Sequence, residues 1–188
     1  MKINSVQFIR GMVKDTDLPT DGLPHVAFVG RSNVGKSSLI NCLMGDDVCR
    51  TSKTPGRTQQ ANIFLVNKSF YLVDLPGYGF AKLPQEQREK LRQLIDGYLG
   101  DPDVPLKHVV LVTDASVPFS NLDGEMISFL LEHGRSVTVA ANKWDKLNQK
   151  EQHVATQAFA RLYPDVEWVP CAGRTGLGKV ALLKALND

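Results

Sequence analysis

Six short apolar runs punctuate the chain: Val26–Val29, Ile63–Val66, Phe70–Val73, Val109–Thr113, Val137–Ala140 and Val166–Val169. Four of them, Val26–Val29, Val109–Thr113, Val137–Ala140 and Val166–Val169, are almost continuously apolar, as parallel strands covered on both faces are. Only Asn67, Lys68 and Ser69 separate Ile63–Val66 from Phe70–Val73. That is too few residues for a crossover, so this pair is predicted to be an antiparallel hairpin. Between the runs lie stretches of helical pattern: Lys36–Met44, Gln85–Leu99, Leu122–Glu132, Lys150–Leu162 and Lys179–Leu186. In the second, Leu91, Leu94, Ile95, Tyr98 and Leu99 recur at three- and four-residue steps, the period of one buried helix face. Strands alternating with helices predict an α/β fold, here a six-stranded, mostly parallel sheet with one antiparallel edge strand and helices on both faces. Residues 1–24 are polar and turn-rich. They are predicted to be an irregular lead-in with one short strand near Ser5–Ile9, ahead of a single domain over residues 25–188.

Composition narrows the class. At 188 residues with 43% hydrophobic and 22% charged side chains, the chain can bury its own core, which excludes disordered and fibrous readings. A net charge of +2 argues neither for nor against a nucleic-acid partner. Cys42, Cys49 and Cys171 are an odd set with no CxxC spacing, so neither a disulfide framework nor a zinc knuckle is expected, and a reducing cytoplasm is. No apolar run approaches the ~18 residues of a membrane span, and no apolar stretch follows Lys2 as in a signal peptide. The expected protein is cytoplasmic, with no membrane partner.

Chemistry enters at Gly30-Arg31-Ser32-Asn33-Val34-Gly35-Lys36-Ser37, which reads G-x-x-x-x-G-K-S between a predicted strand and a predicted helix. Gly30 and Gly35 let the backbone turn successive N–H groups inward around phosphates, and the following helix N-terminus adds its partial positive charge. Lys36 is expected to reach the β- and γ-phosphates, the Ser37 hydroxyl to ligate Mg²⁺, and Ser38 to complete the nucleotide-binding run. Asp74-Leu75-Pro76-Gly77 follows the next strand as D-x-x-G. Asp74 would hold Mg²⁺ and the Gly77 N–H would sense the γ-phosphate. Asn142-Lys143-Trp144-Asp145 is N-K-x-D after a later strand. The Asp145 carboxylate can accept from guanine N1–H and N2–H₂ together, a pair adenine does not offer. Such a site rejects the analogue by ~10⁴ or more. Lys143 would lie along the base and Asn142 would tie this loop to the phosphate loop. The expected ligand is therefore GTP or GDP.

Two further segments are less specific. Pro170-Cys171-Ala172-Gly173 follows the last strand, where backbone N–H groups would meet guanine O6. Pro170 has no N–H, so Cys171 and Ala172 are the expected donors. The polar stretch Thr51–Gln59 falls where a switch loop would lie. A threonine there must complete the Mg²⁺ shell, and residue chemistry alone does not separate Thr54 from Thr58.

GRSNVGKSSLIN (Gly30–Asn41), SKTPGRTQ (Ser52–Gln59) and DLPGYGFAK (Asp74–Lys82) together resemble the EngB family, also called YihA or YsxC, across nearly the whole chain. The resemblance implies a small-GTPase-like P-loop fold and a role in assembly of the large ribosomal subunit, with associated effects on cell division and septation. It also makes Thr58 the switch threonine and second Mg²⁺ contact. Gly56, Arg57 and Thr58 then join the nucleotide site, and Lys36, Thr58 and Gly77 become the catalytic set around the γ-phosphate. Three positions depart from the family pattern: Ala115-Ser116-Val117 follows Asp114 in place of an Arg-His pair, His25 replaces a glutamate, and Asn142 replaces a threonine.

Tyr78 stands where Ras-like enzymes carry the water-orienting glutamine, so slow intrinsic hydrolysis is expected. Asn33 occupies a position at which related GTPases can bind K⁺, which makes K⁺ a further candidate cofactor. Arg50, Lys53 and Arg57, with Lys82, Arg88, Lys90 and Arg92, flank the two switch segments and suggest a basic face toward rRNA. The expected partners are the guanine nucleotide and the large ribosomal subunit or its precursor, met by a monomer. The alternative is a nucleotide-gated binding module in which hydrolysis is incidental.

Overall fold

The computed structural model describes residues 2–12, 17–45, 48–49, 60–79 and 83–186. Its elements in chain order are β1 (Val6–Met12), β2 (His25–Gly30), α1 (Lys36–Met44), β3 (Ala61–Val66), β4 (Phe70–Asp74), α2 (Gln85–Gly100), β5 (Leu106–Asp114), α3 (Asn121–Glu132), β6 (Val137–Asn142), α4 (Gln149–Leu162), β7 (Glu167–Pro170) and α5 (Lys179–Ala185). One sheet runs β1-β3-β4-β2-β5-β6-β7. β3 is antiparallel to both its neighbours, and every other pairing is parallel.

The side-chain alternation of the strands divides the core in two. Ala27, Val29, Val109 and Leu111 face one side, where α2, α3 and α4 contribute Ile95, Leu99, Ile127, Leu130 and Phe159. Val26, Phe28, Val110 and Val112 face the other, against Leu39 and Leu43 of α1, Leu182 of α5 and Leu186 just after it. The chain leaves β2 toward β4 on one side and reaches β5 on the other. The carboxyl end of β2 is therefore the point where the winding reverses and a ligand crevice opens.

The sheet has seven strands rather than the expected six, because the lead-in supplies one. β1 pairs along β3 with a bulge between Phe8 and Arg10. The antiparallel strand is consequently one place in from the edge. β1 is the short strand expected near Ser5–Ile9, running on to Met12, and most of it is not fully buried. It is held instead by Asn67 in the β3–β4 turn. Asn67 Oδ1 accepts from the N–H groups of Asn4 and Ser5, and Nδ2 donates to the Lys2 carbonyl. Asn67 and Lys68 both adopt positive φ (51° and 55°), and the Ser69 N–H closes this three-residue connection on the Val66 carbonyl.

At the amino end of the parallel strands His25 is buried, its Nδ1 3.0 Å from the Tyr98 hydroxyl and its ring edge-on to Tyr71. Its Nε2 has no hydrogen-bond partner among the described residues. Burial pulls the imidazole below its ordinary value, with the Asp21 carboxylate opposing. Burial acts the same way on His108, opposed by Glu167. A histidine that is held neutral in the fold but protonates freely when unfolded contributes its full stability above the unfolded value near 6.5. That contribution is lost as pH falls from there toward the folded pKa. Urea midpoints are therefore expected to fall between pH 7.5 and pH 5.5, and to fall less in His25→Gln. An equal fall in the variant would place the dependence elsewhere.

Candidate functional site

β2 ends at Gly30 and α1 begins at Lys36, so residues 30–36 form the turn over the crevice. Gly35 is the N-cap of α1 at φ 91°, and a Cβ there would lie 2.4 Å from Asn142 Nδ2. Position 35 must be glycine for both reasons. At Gly30 a Cβ would strike the Val112 carbonyl oxygen at 2.3 Å. Leu39 and Leu43 on the inner face of α1 pin the helix to the sheet, which aims its N-terminus into the crevice.

Lys36 is buried, and its ammonium donates to the Asp74 carboxylate at the end of β4. Ser37 follows on the first turn of α1. A hydroxyl and a carboxylate are oxygen donors of the kind a hard divalent cation such as Mg²⁺ takes. Asp74, Leu75 and Pro76 are buried and Gly77 is half-buried, and the Leu75 N–H donates to the Phe28 carbonyl. Gly77 packs closely on the loop, since a Cβ there would be 3.1 Å from the Ser32 backbone.

Not all of the loop's amides turn inward as expected. The Ser32 N–H donates to the Tyr78 carbonyl at 3.0 Å, and the Tyr78 N–H donates to the Gly30 carbonyl. Backbone pairing between this loop and the stretch after Asp74 takes that amide. The Tyr78 phenol turns toward α3 and donates to Asp123 Oδ1 at 2.8 Å. Burial, and then Asp123, push it far above its ordinary pKa, so it stays a neutral donor. Arg31 leans the same way, 3.8 Å from Asp123 Oδ2. Asp123 also closes a capping box with Ser120. This anchor was overlooked in the sequence, although Ser120-x-x-Asp123 before a helical pattern is a capping signal.

The Asn142–Asp145 segment opens where β6 ends. Asn142 is buried, and Nδ2 donates to the carbonyls of Val34 (2.9 Å) and Gly35 (3.3 Å) while Oδ1 accepts from the Gly173 N–H (3.0 Å). One amide thus joins three loops. Lys143, at φ 62°, donates to the Asn33 carbonyl (2.8 Å) and to Asp114 Oδ2 (2.5 Å). Burial alone would raise the Asp114 carboxyl, but hydrogen bonds from Lys143 and Ser116 hold it below its ordinary value. Asp145 keeps a partly accessible carboxylate, 3.4 Å from the exposed Arg174 guanidinium.

The expectation for the loop after β7 needs correcting. The Cys171 N–H donates to Ala141, the Ala172 N–H to Leu177 and the Gly173 N–H to Asn142. Strand pairing and the turn have taken the two amides assigned to guanine O6. Pro170 is half-buried, and burial pushes the Cys171 thiol up to about 12.

Thr54, Gly56, Arg57, Thr58 and Gln59 lie outside the described residues, as do Arg50, Lys53, Phe80, Ala81 and Lys82. Of the basic residues after the second switch, Lys90 pairs with Glu86 and Arg92 with Asp96, so α2 presents balanced charge at those positions. No group of histidine, cysteine or acidic side chains among the described residues could hold a metal ion by itself. No described helix is long and apolar enough to cross a membrane.

A family model described as a 50S ribosome-binding GTPase matches residues 25–143. A probable GTP-binding protein EngB of Prosthecochloris aestuarii is 39% identical over 190 residues, covering 100% of this chain and 98% of that protein. The protein of the same name from Chlorobaculum parvum is 40% identical over 189 residues, with the same coverage. Among solved structures, the crystal structure of a probable GTP-binding protein EngB superposes with a TM-score of 0.73 at 28% identity. That match covers 87% of this chain and 96% of the other.

Proposed function

The chain belongs to the EngB family of GTP-binding proteins, and from that premise we propose that it is a slowly hydrolysing GTP switch acting in assembly of the large ribosomal subunit. The observation that carries the reading is the convergence on Asn142, where one side chain joins the phosphate loop to the base-reading loop. Loops tied in this way would register both ends of one nucleotide.

The residues divide the work. Gly30–Ser38 cradle the phosphates through backbone N–H groups and the start of α1, and Lys36 places its charge on the β- and γ-phosphates. Ser37, Asp74 and Thr58 would hold Mg²⁺, which when bound would supply neutralising charge at those phosphates. Asp145 reads guanine through its carboxylate, and Lys143, braced by Asp114 and the Asn33 carbonyl, lies along the base. The Gly77 N–H and Thr58 report the γ-phosphate to the switch segments.

Hydrolysis needs an oriented water, and the Tyr78 phenol is turned to Asp123 rather than offered to one. Turnover of the isolated protein in Na⁺ buffer is expected at about 10⁻⁴ to 10⁻³ s⁻¹. K⁺ replacing Na⁺ at matched ionic strength is expected to raise it, by a cation seated near Asn33. Single-turnover phosphate release reads both, and fast turnover in Na⁺ or equal rates in the two salts would reject the corresponding claim. Tyr78 also favours a second reading, in which partner docking is the output and hydrolysis only resets it.

The assembly role is tested by depleting the protein in its own cell and resolving ribosomal particles by sedimentation. Large subunits are expected to fall and slower precursors to accumulate, with small subunits unaffected and septation defects following later. A normal particle profile accompanied by septation defects would refute it.

A further inference from the structure

Asp123 is only 3% exposed, and capping α3 does not call for that burial. Glu151 closes the equivalent box with Asn148 on α4 from an exposed position. A buried carboxylate is costly unless donors surround it. At Asp123 they come from three parts of the chain. Oδ2 accepts from the Ser120 hydroxyl at 2.7 Å, Oδ1 accepts from the Tyr78 phenol at 2.8 Å, and the Arg31 guanidinium stands 3.8 Å from Oδ2. Ser120 belongs to the cap of α3, Tyr78 to the stretch after Asp74, and Arg31 to the phosphate loop.

These contacts hold Gly77–Gly79 between the phosphate loop and α3. The Tyr78 backbone brackets Arg31, donating to the Gly30 carbonyl at 3.2 Å and accepting from the Ser32 N–H at 3.0 Å. Gly77 lies on the loop so closely that a Cβ would be 3.1 Å from the Ser32 N and Cα. Gly79, at φ 76°, passes between α3 and the loop, where a Cβ would be 3.3 Å from Leu122 Cδ1 and 3.9 Å from the Arg31 stem. The place of Gly77 thus depends on a neighbour fastened to α3. We propose that Asp123 is a positioning residue for the γ-phosphate end of the site, holding Gly77 and the phosphate loop as one piece through the Tyr78 hydroxyl and Arg31. The proposal rests on the reading of Gly77 as the γ-phosphate contact, and adds a residue that does not touch the nucleotide.

Tyr78→Phe removes the phenol's hydrogen bond and leaves the capping box intact. Its affinities for GDP and for a non-hydrolysable GTP analogue, both in Mg²⁺, are read as a ratio. GDP affinity is expected to stay within about twofold, because GDP has no γ-phosphate for Gly77 to meet. Analogue affinity is expected to fall about 5- to 10-fold, part of what one hydrogen bond to a charged group can carry. A general loosening of the fold would weaken both nucleotides together and leave the ratio unmoved. Hydrogen exchange at the Ser32 and Tyr78 amides is expected to quicken, while the Leu75 amide, bonded to the Phe28 carbonyl, keeps its rate. Asp123→Ala should lower the ratio at least as far, and adding Tyr78→Phe to it should cost nothing further, since the pair has no contact left to lose. An unchanged ratio in Tyr78→Phe, or losses that add in the double variant, would overturn the proposal. An unchanged ratio in Gly77→Ala would instead overturn the γ-phosphate reading beneath it.

Discussion

Asp145→Asn is expected to lower affinity for GDP and GTP by about 10³- to 10⁴-fold and to create affinity for xanthosine nucleotides. The carboxylate can accept from N1–H and N2–H₂ of guanine at once. An asparagine amide keeps one acceptor and turns a donor toward the exocyclic amine, itself a donor, so one pair becomes a clash of hydrogens. Xanthine carries a carbonyl oxygen at that carbon, and the same amide then finds an acceptor. Arg174, 3.4 Å away and exposed, is the described ion-pair partner of Asp145, so the substitution leaves the core untouched. Competition of GDP, xanthosine diphosphate and ADP against a labelled guanine nucleotide reads the change. Retention of GDP affinity within tenfold would contradict the assignment of Asp145 to the base.

The second large effect belongs to Lys36. Lys36→Ala is expected to cut turnover by about 10²- to 10³-fold, the scale for removing one preorganised donor from charge that develops at the phosphates. It is also expected to destabilise the fold by about 3–5 kcal/mol, because Asp74 would be left as a buried carboxylate without its counter-charge. The two losses have different causes and can be separated. Replacing Asp74 by alanine as well removes the orphaned charge, so the double variant should recover most of the urea midpoint. Lys36→Ala assayed well below its own unfolding midpoint should still lack the turnover, and normal turnover there would mean that Lys36 serves the fold and not the phosphates.

Much of this site is legible in the sequence because its chemistry depends on short, contiguous runs. A backbone cradle needs glycine at positions 30 and 35, and the base-reading carboxylate needs the turn after β6, so spacing and place in the strand–helix order suffice. The central strands are equally legible, since burial on both faces leaves an uninterrupted apolar run. β1 is legible only in part, as a short strand near Ser5–Ile9, because an edge strand with mostly accessible positions has no such run, and it is held by Asn67, some sixty residues away. The anchors also escape a reading by motif. Asp123 touches Tyr78 only after α3 is packed against the sheet, and Asn41 meets Cys49 only because the chain doubles back. The amides of Cys171 and Ala172 show another limit of spacing: a run can be read as a set of free donors while the fold commits those donors to strand and turn.

The central claim is that bound nucleotide governs docking on the large ribosomal subunit. Its most direct test is co-sedimentation of the protein with purified large subunits, comparing a non-hydrolysable GTP analogue with GDP across a salt series. The account predicts pelleting with the analogue and little with GDP, with binding that weakens steeply as salt rises because phosphate contacts release counterions. Equal pelleting with both nucleotides, or none with either, would contradict it.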